Sequence, residues 1–508
     1  MIHIRIRHLR AAGLVCLLLP TTAFLLTWVR PAIAIPSAVM LCAAVLLFIR
    51  RDAASPEEDA FGTEAELSIS LPSLLTAVIA AIVWTFFSGI GGTFFQTHDH
   101  HGRNAIFHDM LENPWPVYFE GTDYALTYYL AYWILPALFA KGVAFFLGSD
   151  ALWPAGNAAL FIQTVVLLII IFLLLLPLVR ARSLPAVLVA LLIFIFFSGM
   201  DGLPVAIKDN WTQQYEWWAQ SYQFSSNTTC LFWVYNQALP AWLATLLLMS
   251  RPHDLGWYAL LGLSVFPFSP LPFVGLFFVM LCLFSLRFAA ALRSGQPLPQ
   301  VRALLLSCLS ADNLLACAAI IPSFFFYFLS NQATRDGGFA LMLFFDKWGM
   351  LGAVSRLALF WLIEFGILAL FIAPCWQSAP LFVIAVLSLL LAPLFRLGYN
   401  ADFAMRASIP GLIILCVYAA RTLIDRAALS VRRYEVCLLV LLLALGSITP
   451  VQEFKTGINM VRQAGTNFMF ADSFKTVLHP DAHTFNFICD DVNSSVFYRY
   501  FARKGAAR

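Results

Sequence analysis

Apolar runs of roughly twenty residues recur along this 508-residue chain with almost no charge inside them. A helix needs about 20 such residues to cross the ~30 Å hydrocarbon core of a bilayer, so the pattern dictates a polytopic membrane protein. Runs occur at 12–29, 32–49, 72–90, 158–179, 184–198, 229–249, 304–328, 356–374, 380–395, 407–420 and 434–449. Residues 255–286 add a longer run broken by Pro267, Pro270 and Pro272, which reads as a hairpin of two short spans. Charged residues make up only 12% of the chain, against about 25% in soluble domains, too few to solvate a surface over that much apolar mass. The runs are continuous rather than alternating, which excludes an outer-membrane barrel. The expected fold is all-α.

Arginine placement orients the spans. Arg5, Arg7 and Arg10 put the N-terminus in the cytoplasm, and the loops at Arg50–Arg51, Arg180–Arg182, Arg251, Arg287–Arg302 and Arg421–Arg433 follow it there. This bookkeeping works if 124–147, interrupted by Pro136 and Lys141, is a juxtamembrane or re-entrant element. It then gives about 13 spans with the C-terminus outside. The organisation read from it is an N-terminal hairpin and cytoplasmic loop (1–71), a transmembrane core (72–449) and an outer tail or small cap (450–508). The N-terminal run resembles a signal peptide, with Ala-Ile-Ala at 32–34, but a second run follows at once and favours a retained anchor. Net charge is +3 and evenly spread, which argues against nucleic-acid binding. Eight of the ten cysteines sit inside apolar runs as small hydrophobes, and no Cys/His spacing reads as a zinc site.

Polar residues able to do chemistry fall in the segments this topology places outside: 91–157, 199–228, 330–355, 396–406 and the C-terminal region. The first is the richest. Within it, His98, His100, His101 and His108 are interleaved with Asp99, Asp109 and Glu112. Helical spacing over 102–112 is stopped by Pro114 and Pro116, and puts His101, Ala105, His108 and Glu112 on one face. Asp99, expected just before that helix at the membrane surface, is placed to act as a general base toward a hydroxyl or amine. His100, His101 and His108 are the candidate ligands for a divalent metal.

The order of features in 97–133 resembles a known family. An acidic residue after an outward span precedes a helix, a Trp-containing turn and a Tyr-Tyr element. That order is similar to the first outer loop of GT-C glycosyltransferases using polyprenyl-phosphate-linked sugars, the protein O-mannosyltransferase and lipid A aminoarabinose transferase group. On this resemblance Asp99 matches the catalytic Asp, Ala105 and Met110–Leu111 the helix, Trp115 the turn, and Leu126–Tyr129 the aromatic element. The layout of about 13 spans is also similar. The sequence departs from the pattern where His100 stands in place of a common acidic residue, where Tyr124–Ala125 replaces Pro-Pro, and in having two spans before the loop.

Other outer segments supply candidate binding groups. In 198–237, Asp201 follows a span, Glu216 adjoins Trp217 and Trp218, and Tyr222, Gln223, Ser225, Ser226 and Asn227 add neutral hydrogen-bonding groups. Indoles stack on sugar rings and also anchor at bilayer interfaces. The formal sequons at Asn210 and Asn227 carry little weight. Arg396 and Arg406 stand on the side the charge rule disfavours; Asp402 and Arg406 are spaced for a local ion pair, and either Arg suits a phosphate. Lys208 and Arg335 are weaker candidates for that task, and Asp481, His483, Asp490 and Asp491 mark the C-terminal region. No glycine-rich phosphate loop follows a strand pattern.

The expected activity is transfer of a sugar from a polyprenyl-phosphate donor to an outer-face acceptor. Asp99 is expected to activate the acceptor, Arg396 or Arg406 to stabilise the leaving phosphate, and Glu216, Trp217 and Trp218 to orient sugar. His100, His101, Asp109, Asp201, Asn227 and Asp402 complete the expected substrate-binding set. A polymerase or ligase of lipid-linked oligosaccharide, a transporter or flippase using the intraspan Glu364, and a structural subunit are the rivals.

Overall fold

The computed structural model describes residues 1–54, 66–207, 214–336, 339–342, 344–397, 402–465, 472–480 and 483–504. The protein is an all-α, multi-pass membrane protein. Among the described residues eight helices are long and apolar enough to cross a bilayer, and shorter apolar helices of 10–17 residues pack among them. Strand pairing among the described residues is confined to three two-stranded ribbons. β1 (Ile2–Arg5) pairs with β2 (Glu66–Ile69), β3 (Ala125–Leu126) with β6 (Ile488–Cys489), and β4 (Phe339–Leu341) with β5 (Phe395–Leu397).

The first helices are α1 (Ile6–Trp28), α2 (Pro31–Ala54), α3 (Leu71–Phe87), α4 (His98–Glu112), α5 (Ala131–Leu147) and α6 (Leu152–Val179). They are followed by α7 (Leu184–Phe196), α8 (Gly202–Ile207), α9 (Asn227–Ser250), α10 (Tyr258–Val265), α11 (Pro270–Leu292), α12 (Pro297–Cys308) and α13 (Ala311–Leu329). The rest are α14 (Gln332–Asp336), α15 (Phe345–Trp361), α16 (Ile367–Trp376), α17 (Pro380–Leu391), α18 (Asp402–Ala407), α19 (Ile409–Ile424), α20 (Arg433–Gly446) and α21 (Ile448–Ala464).

Ion pairs gather one set of helix ends. Buried Arg10, in the second turn of α1, pairs with buried Asp52 near the end of α2 at 3.0 Å. Arg251, just after α9, joins Asp52, while Arg51 reaches Asp254 at 3.3 Å and Asp312 of α13 at 2.8 Å. After α6, Arg180 bonds Asp425, which follows α19, at 2.9 Å. At the opposite end lie the α1–α2 turn, the start of α9, the end of α13 and the C-terminal residues. Arg30 donates its backbone N–H to Phe501, Arg503 donates to Trp28, and Asn331 Nδ2 donates to Thr127 and Asn486.

Helix α9 is the innermost, with 94% of its apolar window buried by neighbours. That position explains how it tolerates Asn236 and Gln237: both face protein rather than lipid. The chain leaves helical geometry at Val234 (φ −137°, ψ 36°), so α9 is kinked about two turns into its course. Helix α5 does not descend to the Arg-rich end. Its first turn lies beside the middle of α6, where Tyr132 bonds Thr164 at 2.8 Å. It then climbs back until Lys141 donates to the Asn113 carbonyl, just beyond α4.

The Pro-rich break at 266–269 does divide 255–286 into two helices, α10 and α11. The apolar run 304–328 behaves differently from its expectation as one span. It splits at Ser310, whose hydroxyl caps α13 by accepting from the Asn313 N–H, so α12 ends at Cys308. The span expected at 356–374 starts earlier, at Phe345, and contains a π-turn over Leu362–Gly366 that carries Glu364.

Asp52 is 2% exposed and faces two guanidiniums, so removing it strands buried positive charge. Asp52→Ala is expected to lower stability by roughly 3–5 kcal/mol. The loss should read out as a large, nearly salt-independent fall in the melting temperature of the detergent-solubilised protein.

Candidate functional site

Asp99 lies inside α4, in its first turn, rather than before the helix as expected from the sequence. The helix begins at His98 because Thr97 ends the extended segment before it (φ −68°, ψ 167°). Being in the helix puts Asp99 one turn from Arg103. Arg103 Nη2 donates to Asp99 Oδ2 at 3.2 Å, and Arg103 Nε donates to Asn236 Oδ1 at 3.2 Å. Asn236 comes two residues after the kink in α9. A relay therefore runs from the core helix through a buried guanidinium to a carboxylate whose side chain is 39% exposed. Asp99 Oδ2 is held by this relay, while Oδ1 has no hydrogen-bond partner among the described residues.

The relay is not saturated. Arg103 Nη1, Asn236 Nδ2 and His100 Nε2 are all buried without a protein partner. Buried polar groups are nearly always paired, so unpaired atoms on adjoining residues mark a place built to receive acceptors or ordered water. His100 is fixed by contact of its Nδ1 with the Thr97 hydroxyl at 3.1 Å. Burial, with Arg103 and then His101 adding to it, holds its pKa well below the usual histidine value, so the ring is neutral.

Arg406 belongs to the same neighbourhood. It sits in α18, and its Nη1 pairs with Asp402 at 2.8 Å, the local pair the spacing predicts. Burial opposes its charge, but Asp402 and then Asp99 outweigh that and hold the guanidinium above its ordinary value. Close approach of α18 to α11 depends on Gly275, where a Cβ would lie 2.1 Å from the Ala407 carbonyl oxygen. Tyr128 lies among the same charges: burial raises its phenol, Arg103 and Arg406 pull it down, and Asp99 and Asp402 push it up. Its ring packs 4.4 Å from that of Tyr129. Asp99, Arg103, Tyr128, Asp402 and Arg406 thus form one polar cluster with two aromatic rings.

The other expected residues go elsewhere. Arg396 is exposed on β5, opposite Ala340 of β4, and no described side chain pairs with it. Glu216 is fully buried and accepts from the Ser226 N–H at 2.8 Å and from Gln223 at 3.0 Å. Burial, then Asp201, push its pKa up to about 8. Asp201 is also fully buried and accepts from Ser198 and Thr449, each at 3.1 Å. Trp218 donates to Glu364 at 2.9 Å, and Trp217 is 54% exposed. Asn227, the first residue of α9, donates to the Phe194 carbonyl in the last turn of α7 at 2.7 Å. Asp201, Glu216 and Glu364 therefore form a second, buried acidic group, and Asn227 is a structural residue. Lys208, Asn210 and Asp481, together with the Arg335 side chain, lie outside the described residues.

The histidines are not gathered. His100 faces Thr97 and Tyr235, His101 contacts Ser473, and His108 Nε2 contacts Asp472 at 2.6 Å while stacking 3.8 Å from Trp153. Among the described residues no three His, Cys, Asp or Glu side chains are arranged to hold a metal. Helical geometry explains it: at 3.6 residues per turn, His100 is rotated away from the face that His101 and His108 share. That second face binds the C-terminal segment instead. Asp109 accepts the Val477 N–H at 2.9 Å and the Thr476 hydroxyl at 3.2 Å. His108 Nδ1 also meets Glu112 at 3.2 Å.

Sequence reasoning missed Arg103, Asn236 and Asp472. Two of the signals were present: an Arg four residues after Asp99, and an Asn-Gln pair inside an apolar span.

Burial, ahead of other causes, raises the Asp109 carboxyl to about pH 6 from 3.8. Between those values the folded state binds the extra proton, so this group's contribution to stability falls as pH rises from about 4 to 6. Asp109→Asn keeps the acceptor oxygen for Val477 and removes the titration. The variant should lose that decline, worth roughly 3 kcal/mol at most by 1.36 kcal/mol per unit. Amide exchange across 472–480, corrected for intrinsic rate, should then show better protection at pH 7 than in the parent protein and the same protection at pH 4.

Compared with protein-family models, with curated proteins and with solved structures, the chain matches none.

Proposed function

We propose that this protein is a GT-C-type glycosyltransferase that moves a sugar from a polyprenyl-phosphate carrier to an acceptor on the outer side of the cytoplasmic membrane, with the N-terminus inside. The observation that carries the reading is the Asp99 carboxylate, anchored through Oδ2 to Arg103 and open at Oδ1, with Arg406 in the same charged cluster. An acceptor hydroxyl at Oδ1 loses its proton to Asp99 as its oxygen attacks the anomeric carbon. The bond from that carbon to the phosphate oxygen breaks, and the carrier departs as its phosphate monoester. Arg406, with the spare Nη1 of Arg103, supplies positive charge where the leaving phosphate develops negative charge. Tyr128 and Tyr129 offer ring faces for the sugar. This mechanism takes the leaving-group role away from exposed Arg396, and gives Glu216 and Trp218 no contact with the sugar.

Asp99→Asn should leave folding and donor binding intact and slow transfer by about 10²–10⁴-fold, the usual worth of a general base. Arg103→Gln should impair transfer while also loosening Asp99. Assays with radiolabelled polyprenyl-phosphate sugars and membrane acceptors measure both, and an Asp99→Asn variant of normal rate would sink the mechanism.

One observation favours a second reading. Glu364 is a buried carboxylate within the apolar Lys347–Trp376 helix, beside Asp201 and Glu216, and such groups often belong to proton or ion relays. A transporter or flippase built on it predicts that Glu364→Gln abolishes uptake in proteoliposomes while Asp99→Asn does not. The transferase reading predicts no uptake by either protein or parent.

A further inference from the structure

Two cations share one indole at the start of the apolar Lys347–Trp376 segment. Gly349 breaks α15 there (φ 65°, ψ 169°), in a conformation that suits a residue without a Cβ. Past the break, Trp348 lies beside Gly352, where a Cβ would sit 3.3 Å from that of Trp348. Arg356 follows one turn later on the same stripe, and its guanidinium carbon is 4.6 Å from the centre of the Trp348 ring. Lys347 Nζ is 5.0 Å from the same centre. The indole also packs on Phe344, at 5.1 Å, and the Phe344 ring packs on Tyr222. The resting place of the two side chains is therefore fixed.

Their charge is not answered by the protein. Neither Lys347 nor Arg356 meets a carboxylate or a hydrogen-bond acceptor among the described residues. Arg356 is exposed, and so are Leu351 and Val354 before it and Leu359 and Leu362 after it. A guanidinium set in such an apolar surface faces lipid. Met350 to Trp376 makes about 39 Å of helix at 1.5 Å per residue, more than the ~30 Å core. Arg356, about 9 Å from the Met350 end, then falls at the edge of the hydrocarbon. Its side chain turns back toward that end, the direction in which long cations snorkel to the head groups. This is the α4 end of the molecule, because α15 begins shortly after α13 finishes there.

We infer that Lys347 and Arg356 bind the phosphate of an anionic phospholipid in the leaflet on the α4 side, with Leu351 and Val354 against its acyl chains. An anion between the two cations removes the repulsion that the pair otherwise carries. Arg356 offers paired N–H donors to the phosphate oxygens, and Lys347 a point charge. A choline head group finds the indole already occupied and adds a third positive charge, so the site favours phosphatidylglycerol over phosphatidylcholine. It is independent of Asp99 and of the transfer reaction.

The test places the full chain in phosphatidylcholine nanodiscs holding a trace of phosphatidylglycerol or phosphatidylcholine with a photoreactive diazirine in its head group. After irradiation, peptide mass spectrometry locates the attached lipid. One basic residue at a membrane surface is worth about fivefold, so residues 347–361 should be labelled at least about fivefold more by the phosphatidylglycerol probe. Lys347→Gln and Arg356→Gln should each lower that labelling by about fivefold, and Arg356→Lys, which keeps the charge, should retain most of it. Both side chains are exposed, and matching melting curves will show that the variants are folded. Equal labelling of the parent protein by the two probes overturns the inference, as does undiminished labelling in either Gln variant. Competition by millimolar inorganic phosphate would assign the cations to a soluble anion, and competition by stoichiometric polyprenyl phosphate to the carrier; either result overturns the phospholipid assignment.

Discussion

In a hydrocarbon slab a peptide group has no water to bond, so each segment that crosses it must satisfy its own backbone and leave its side chains apolar. Much of this architecture follows from that condition. Charged side chains are driven to the two ends of the helices, where they either tie the ends together or remain available for chemistry. The Arg10–Asp52–Arg251 and Arg51–Asp254–Asp312 pairs do the first at one end. The polar cluster around Asp99 is placed for the second at the other. Between them, α9 carries Asn236 through the protein interior, where the surrounding helices shield it from lipid.

The two ends use their charges differently. At the Arg-rich end the acids are largely consumed by arginines from neighbouring helices, which suits a clamp. Near α4 the balance is looser. Asp99 and Asp402 are exposed to 39% and 43%, and each has one guanidinium partner of its own. Donors stay unpaired behind them on Arg103 and Asn236. An unsatisfied buried polar atom costs about 1–3 kcal/mol, and the Arg-rich end carries such atoms as well, at Arg180 Nε and Asp312 Oδ2. Retaining those on Arg103 and Asn236 makes physical sense where a ligand, or water that a ligand displaces, completes the set.

How much of this was legible in the sequence depends on the range of the interaction. Apolar runs act over one helix, so the all-helical membrane character and the division of the 255–286 run near Pro267 and Pro270 were readable directly. Local pairs were readable for the same reason: Asp402–Arg406 and His108–Glu112 are each one helical turn apart. The start of α4 was misplaced because His98, Asp99 and His100 carry no strong helix signal; moving it to His98 is what brings Asp99 over Arg103. Partners far apart in the chain were not readable. Nothing in the order of residues says that Asn236 will meet Arg103, or that Glu216, beside two tryptophans, will turn inward toward Asp201 instead of toward a sugar.

The C-terminal segment ties the molecule together across its whole length. Asp472 meets His108 across 364 residues of intervening chain, and Asp109 is bonded by Thr476 and Val477. This contact sets an order of events during synthesis. Helix α4 emerges while most of the bundle is still unmade, and one of its faces must wait, hydrated and unpartnered, until residues 472–477 have been produced and carried to the same side of the membrane. Only then do Asp109 and His108 find their partners and leave water. The face of α4 turned away from Asp99 is therefore among the last parts of the protein to be completed, long after the helices that position it have been threaded into place.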